Sequence, residues 1–334
     1  MKSQEDDTCK KVLFVNHCLT GGGSEKAMTL IANYFATQGF EVEMLLLNEQ
    51  PRTYSVDARI KITECYCPIE GNKLVWHLRR IKTIREAIKN SNSPIVISFM
   101  WDINMNVILA CTGLGKKVIA SERCDPHNES RKLMWFAMYF VLPFADITVF
   151  QTSMVQSYYP RSVQKRSVVI PNAISDNVPK PDRNPAKIRK EIVGVGRFTE
   201  QKNFEMLIDA FAEVHRKHSD YKLIIYGDGS LRSRYEDQII RLGINDAVSI
   251  PGYLPDVNEK MRYAAIYVNS SNYEGISNAM LEAMAMGLPC ICTDCPVGGA
   301  SMVIQDGING NLVPVGDMHK MAEATMKLIN DKGL

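Results

Sequence analysis

Two carboxylates eight positions apart, Glu274 and Glu282, frame the stretch YEGISNAMLEAMAMG. The first precedes a glycine, and the second sits in an Ala- and Met-rich run of helical composition. Eight residues make a little over two helical turns, so the acids share a face only if the helix begins at once. Glu274-Gly275 reads as loop, which lets the first acid reach further into a site. Repulsion disfavours a close carboxylate pair, so each acid suits its own polyol, such as a ribose and a sugar. An N-terminal acid favoured by the helix dipole plus one exposed helix acid gives the same spacing. Upstream, GRFTEQKN (196–203) places Arg197 and Lys202 around a loop that opens a helix. A forked donor beside a point charge suits a diphosphate, although two solvated loop charges read the same way. GGGSEK (21–26) feeds another helix, where Gly22 and Gly23 allow close backbone approach and the helix N-terminus favours an anion. Neither the dinucleotide fingerprint nor the P-loop pattern is met there, which disfavours a nicotinamide-dependent dehydrogenase.

The elements around these residues alternate between strand and helix. Strands are expected at 11–16, 42–48, 94–99, 117–121, 147–151 and 167–171, with a helix over 25–37. Prolines and polar residues cluster over 171–185, and the pattern then restarts. Strands follow at 192–196, within the strand and turn of 222–229, and at 248–252, 266–270 and 290–294, with helices at 203–217, 231–242 and 318–329. The fold class is α/β: two doubly wound, Rossmann-like domains facing a central cleft. The boundaries are an acceptor-side domain at 1–172, a linker at 173–190 and a second domain at 191–334.

The chain has 334 residues, 46% of them hydrophobic, enough for two domains. No apolar run is long enough to cross a bilayer, and the polar start MKSQEDDTCKK is no secretory signal, which points to a cytoplasmic protein. The nine cysteines include a C-x2-C pair, Cys292 and Cys295, with no second pair to complete a zinc site, so reduced structural thiols and no metal are expected. Net charge is +2, split between a basic stretch over 1–190 and an acidic one over 191–334. The helical segment 73–89 is rich in Arg and Lys beside an apolar stripe of Leu74, Leu78, Ile81, Ile84 and Ile88. Its cations Arg79, Arg80, Lys82 and Arg85 make a candidate peripheral contact for anionic lipid or a lipid-linked acceptor, or a merely solvated face. Nucleic acid is disfavoured, because no aromatic-interleaved basic surface accompanies it.

Taken in order, GGGSEKA, SERCDP, IPNAI, VGRFTEQKN, IYGDGSL, NYEGISNAMLEAMAMGLPCICTD and DGINGNLVP resemble the retaining glycosyltransferases of family 4, which have the GT-B fold. The resemblance implies transfer of a hexose or N-acetylhexosamine from a UDP-sugar to a lipid-linked oligosaccharide or other glycan in cell-surface polysaccharide assembly. It implies that Arg197 and Lys202 bind the donor diphosphate and that Glu282 binds the ribose. Glu274 would lie against the transferred sugar or its β-phosphate, with the backbone of Gly275, Ile276 and Ser277 capping the phosphates. Gly22 and Gly23 would face the phosphate from the other domain, and no metal or other cofactor would be needed. Many relatives carry His where Arg123 stands. Arg cannot act as a base, so Arg123 would bind donor, leaving Glu122 or a phosphate oxygen to take the proton. Many relatives also carry an acid near Met302. A crossing helix that closes this fold after the last expected helix is missing from the sequence. A sugar-nucleotide epimerase and a non-catalytic sugar-nucleotide binder are the alternatives.

Overall fold

The computed structural model describes residues 10–50, 52–68, 72–123 and 132–331. The chain divides into two compact units between Ala173 and Ile174. In the first, seven parallel strands lie in the order β3-β2-β1-β4-β5-β6-β7. They are β1 (Lys11–Asn16), β2 (Glu41–Leu46), β3 (Lys61–Glu64), β4 (Ile95–Phe99), β5 (Lys117–Glu122), β6 (Ile147–Phe150) and β7 (Ser167–Val169). In the second, six parallel strands lie in the order β10-β9-β8-β11-β12-β13. They are β8 (Arg189–Val195), β9 (Lys222–Tyr226), β10 (Val248–Gly252), β11 (Ala264–Asn269), β12 (Cys290–Thr293) and β13 (Asn311–Val313).

Runs such as VLFV in β1 and CICT in β12 are buried throughout, as strands covered on both faces must be. In the first unit the covering helices are α1 (Gly23–Thr37), α2 (Lys73–Asn90), α3 (Trp101–Cys111), α4 (Lys132–Val141), α5 (Ser153–Ser157) and α6 (Arg161–Gln164). A 3₁₀ turn, Leu142–Phe144, follows α4. In the second they are α7 (Phe204–Lys217), α8 (Arg232–Arg241), α9 (Val257–Met261), α10 (Asn278–Ala285) and α11 (Met318–Asn330). One face of the second sheet packs α7, α8 and α11 through Phe204, Leu207, Phe211, Tyr235 and Met321. The other packs α10 through Met280 and Ala283 against Tyr267 and Cys290.

The expected α/β pattern holds, with additions. β3 is an edge strand whose KITE sequence is mostly exposed, so it carries no apolar run for periodicity to find. α3 is apolar nearly all round and lies buried in the first unit, so it lacks the amphipathic stripe that marks a surface helix. Its buried Asn104 is satisfied: Ser98 Oγ donates to Oδ1 at 2.7 Å, and Nδ2 donates to the Ser121 carbonyl at 3.0 Å. Residues 124–126 of SERCDP lie outside the described residues.

Each sheet reverses its winding once, between β1 and β4 in the first unit and between β8 and β11 in the second. Strands on either side of such a reversal send their following loops in opposite directions, which opens a crevice at their carboxyl ends. In the second unit the loop after β8 is held from one side by the loop after β9. A Cβ on Gly227, at φ +144°, would lie 1.8 Å from the Gly196 carbonyl oxygen, and one on Gly229 would lie 2.6 Å from that of Phe198. Only glycine fits this approach. Gly227→Ala is therefore expected to lower stability by about 2 kcal/mol or more. Thermal and urea unfolding of the variant measure it.

Candidate functional site

At the β8/β11 seam the structure brings together two of the residues singled out by sequence. Lys202, from the loop after β8, donates from Nζ to Glu274 Oε2 at 2.5 Å, across from the loop after β11. Both side chains are largely buried, at 14% and 16% exposure. Ser271 Oγ donates to the same carboxylate oxygen at 2.7 Å. The lysine stem lies over Gly196, where a Cβ would stand 2.9 Å from Lys202 Cε. The two loops are laced further: the Asn272 amide N–H donates to the Gln201 carbonyl at 2.8 Å, and Ser270 Oγ donates to that of Lys202 at 2.8 Å. Asn203, held left-handed at φ 44°, caps α7 with Oδ1 and donates from Nδ2 to Asn272 Oδ1 at 2.9 Å. Arg197 stands exposed at the mouth of the same loop.

The acid pair is now placed. Glu274 lies in the turn before α10, and Glu282 lies in α10 itself, only 3% exposed. A carboxylate is rarely so buried without a specific task, because desolvation must be offset. Ser277 caps α10 by accepting from the Met280 N–H at 3.4 Å, so the positive end of the helix dipole lies just past Glu274 and Gly275. Gly275 and Ile276 lead into this start, and Gly275 is pressed by Gly299, where a Cβ would be 1.8 Å from its carbonyl oxygen. Val297, in the same loop as Gly299, is strained at φ 72°, a conformation β-branched residues avoid.

The β1/β4 seam of the first unit holds a second cluster that sequence reading missed. His17, just past β1, bonds through Nε2 to Asp102 Oδ2 at 2.5 Å, and Asp102 lies in the first turn of α3. Arg80 Nη2 donates to His17 Nδ1 at 3.0 Å. Since arginine only donates, the imidazole proton must sit on Nε2, facing the carboxylate. Met100, at φ 78°, turns the chain from β4 so that Asp102 meets His17, and such strain costs about 1–3 kcal/mol. Burial alone would raise the Asp102 carboxyl, but the His17 hydrogen bond and the Arg80 charge outweigh it and hold the carboxyl below the usual aspartate range. Burial pulls the Arg80 guanidinium down, against the charge of Asp102. His17 and Arg80 line a cavity of about 450 Å³ together with Asn48, Gln50, Tyr66 and Trp76. The three residues lie far apart in sequence and match no motif, so only the fold could reveal them.

Two expectations are corrected here. Arg80 does not lie on an exposed basic face: it is buried, stacked 5.2 Å from the Trp76 ring centroid and bonded to His17. Arg85 is tied by Nη1 to the Ala110 and Thr112 carbonyls at 2.7 Å each. Leu78, expected in the apolar stripe, is 60% exposed, while Arg79 and Lys82 face water. Helical wheels give the angle of a residue but not which neighbour offers an acceptor, and Arg80 follows the acceptor. Arg123 is likewise engaged, donating from Nε to Ser121 Oγ at 3.1 Å and from Nη1 to Asn172 Oδ1, and lying 4.6 Å over the Phe99 ring. Its burial pulls the guanidinium down to about 10. Gly22 caps α1 and Gly23 begins it, but the Glu25 carboxylate folds back against Gly22, within 2.0 Å of where a Cβ would stand. Any anion there shares the helix start with Glu25. Cys292 and Cys295 are buried thiols, and burial pushes the Cys295 thiol up to about 11. Among the described residues, no three His, Cys, Asp or Glu side chains gather as a metal site would require.

Asp102→Asn keeps the shape of the first-unit cluster and removes its anion. Because the folded carboxyl titrates below its unfolded value, its contribution is present above the ordinary aspartate pKa and is lost on acidification through the folded value. The variant is expected to lose about 1–3 kcal/mol at neutral pH, and that deficit should shrink below about pH 4. Urea titrations of both proteins across pH test the sign.

Comparison with known proteins agrees with this arrangement. Residues 21–178 match the family described as Glycosyltransferase Family 4, and residues 189–331 match Glycosyl transferases group 1. The chain is 26% identical over 329 residues to the GalNAc-alpha-(1->4)-GalNAc-alpha-(1->3)-diNAcBac-PP-undecaprenol alpha-1,4-N-acetyl-D-galactosaminyltransferase of Campylobacter jejuni, covering 96% of this chain and 89% of that protein. It is 22% identical over 305 residues to an amylovoran biosynthesis glycosyltransferase of Erwinia amylovora, covering 89% of this chain and 84% of that one. Among solved structures, HepE of Anabaena in complex with UDP and glucose superposes with a TM-score of 0.78 at 18% identity, covering 97% of this chain and 90% of that one. Sucrose-phosphate synthase of Thermosynechococcus elongatus gives 0.82 at 17% identity, covering 96% and 90%. With both halves matched and two parallel sheets wound in this order, the chain belongs to glycosyltransferase family 4 and has its GT-B fold.

Proposed function

We propose that this glycosyltransferase moves a hexose or N-acetylhexosamine from a UDP-sugar to a lipid-linked oligosaccharide or related glycan, with retention of anomeric configuration. The observation that carries the reading is the Lys202–Glu274 pair at the β8/β11 seam, with Arg197 exposed in the same loop as Lys202 and α10 starting just after Glu274. Cleavage of the anomeric C–O bond leaves a nucleoside diphosphate whose charge grows in the transition state. In this reading Arg197, Lys202 and the amino-terminal end of α10 meet that charge without a metal. Glu274 holds the lysine until the diphosphate competes for it, and then accepts hydroxyls of the transferred sugar. Glu282, desolvated in α10, accepts the ribose hydroxyls. UDP is favoured by the bound ligand of the HepE structures, and the lipid-linked acceptor by the Campylobacter relative. In the first unit, the cavity beside His17 and Arg80 offers an aromatic wall and amide donors fitted to an acceptor saccharide.

Calorimetric titration with UDP is the primary test. Glu282→Ala is expected to weaken binding about 100-fold, the loss of two charge-assisted hydrogen bonds; unchanged affinity removes the ribose assignment. Arg197→Ala should lower turnover by a factor on the order of 100, with an unchanged melting temperature because the side chain is exposed. Lys202→Ala should lower both, because it strands Glu274 in a largely buried position. Loss of turnover on chelation of divalent cations would contradict the metal-free mechanism.

A further inference from the structure

The outer side of α4 carries an apolar stripe that no part of the donor or acceptor reading uses. Phe136, Phe140 and Phe144 recur at helical spacing and are 57%, 58% and 76% exposed. The first two rings touch edge to face, with centroids 4.9 Å apart. The same segment anchors itself inward through Met138 and Leu142, both fully buried, so the phenylalanines are surplus to the core. A contiguous exposed aromatic surface of this kind marks an interaction site rather than ordinary scatter.

The charge around the stripe identifies what fits it. From residue 130 to 175 the sequence holds one acid, Asp146, against Arg131, Lys132, Arg161, Lys165 and Arg166. Asp146 is already answered by Lys117, whose Nζ is 2.8 Å from Oδ1. β5, β6 and β7 pair in parallel, so Lys117, the turn bearing Phe144, and Arg166 stand side by side at the amino-terminal ends of adjacent strands. α6, with Arg161, packs against that same turn, and Arg161, Lys165 and Arg166 are exposed. We propose that this face, the Phe136–Phe140–Phe144 stripe with Arg161, Lys165 and Arg166 beside it, docks on an anionic lipid surface. Aromatic rings in the plane of the headgroups with cations alongside are the chemistry of an interfacial helix. A second copy fits poorly, because pairing would set the exposed cations Arg161, Lys165 and Arg166 against one another. The docking stands apart from the donor chemistry. Only its use, keeping the enzyme beside a lipid-linked acceptor, rests on the proposed function. It also moves the membrane contact away from α2, where Arg80 and Arg85 are engaged within the protein.

The test is co-sedimentation of the full chain with vesicles of phosphatidylcholine alone or mixed with phosphatidylglycerol. Sedimentation equilibrium without lipid and donor hydrolysis in solution are read in parallel. The parent should partition onto the phosphatidylglycerol vesicles and much less onto neutral ones. F140S/F144S should lower that partition about tenfold or more. R161E/K165E should lower it by about fivefold for each cation removed and abolish the preference for anionic lipid. Both variants alter exposed side chains and should leave donor hydrolysis unchanged. Equal partition of parent and F140S/F144S, or no partition by the parent, overturns the proposal. So does a parent dimer that F140S/F144S dissociates, which would give the face to a second copy. Vesicle binding as expected with no donor hydrolysis in any protein would leave the docking standing and remove the enzymatic reading.

Discussion

A short polar bridge spans the seam of each sheet: the Lys202–Glu274 ion pair between β8 and β11, and the His17–Asp102 hydrogen bond between β1 and β4. A doubly wound sheet separates its loops at that point, and the crevice so formed would be two loose loop ends without a bridge across it. The bridges are short, half-buried and satisfied at both ends. Ser271 supports Glu274, and Arg80 supports His17. They set the spacing of the groups on which the chemistry depends, because catalytic groups must be held close to their working geometry before the substrate arrives. The same bridges cost strain nearby, at Met100 in the first unit and at Val297 in the second. Strain of this kind persists only where the surroundings over-determine it.

Close backbone packing is the second requirement of the donor site. The loop after β8 is wedged under the loop after β9 by Gly227 and Gly229, and the Gly275 turn is wedged under Gly299. These contacts press the loop after β9 onto the loop after β8, and the loop after β12 onto the loop after β11. They explain why a site for a large polar ligand is built mainly from turns whose glycines have no side chain to offer.

Much of this was legible in the sequence. Parallel strands buried on both faces announce themselves as unbroken apolar runs, so IVGV, KLIIY and CICT were readable with their helices. The residues that meet at the β8/β11 seam were legible because they fall within short stretches, GRFTEQKN and YEGISNAMLEAMAMG, where loop and helix start are contiguous in the chain. The first-unit cluster was not, because His17, Arg80 and Asp102 come from three elements and only β1 and β4 lying side by side brings two of them together. The exposed strand β3 and the helix α3, buried on nearly every side, lacked the contrast between wet and dry faces that periodicity reads. The direction of Arg80 was misread for a related reason: composition reports charge, whereas burial is decided by an acceptor the helix does not contain.

The internal salt bridge at the donor seam has a consequence for selectivity. With Lys202 already answered by Glu274, the second unit offers passing inorganic anions little net attraction at that spot. Such an anion must break an existing partnership and supplies nothing for the displaced carboxylate. A molecule that carries both negative oxygens and alcohol groups can exchange one set of partners for another and leave no group stranded. If the pair serves the donor as proposed, discrimination against sulfate or free phosphate would follow as a swap of counter-ions, ahead of any recognition of base or sugar.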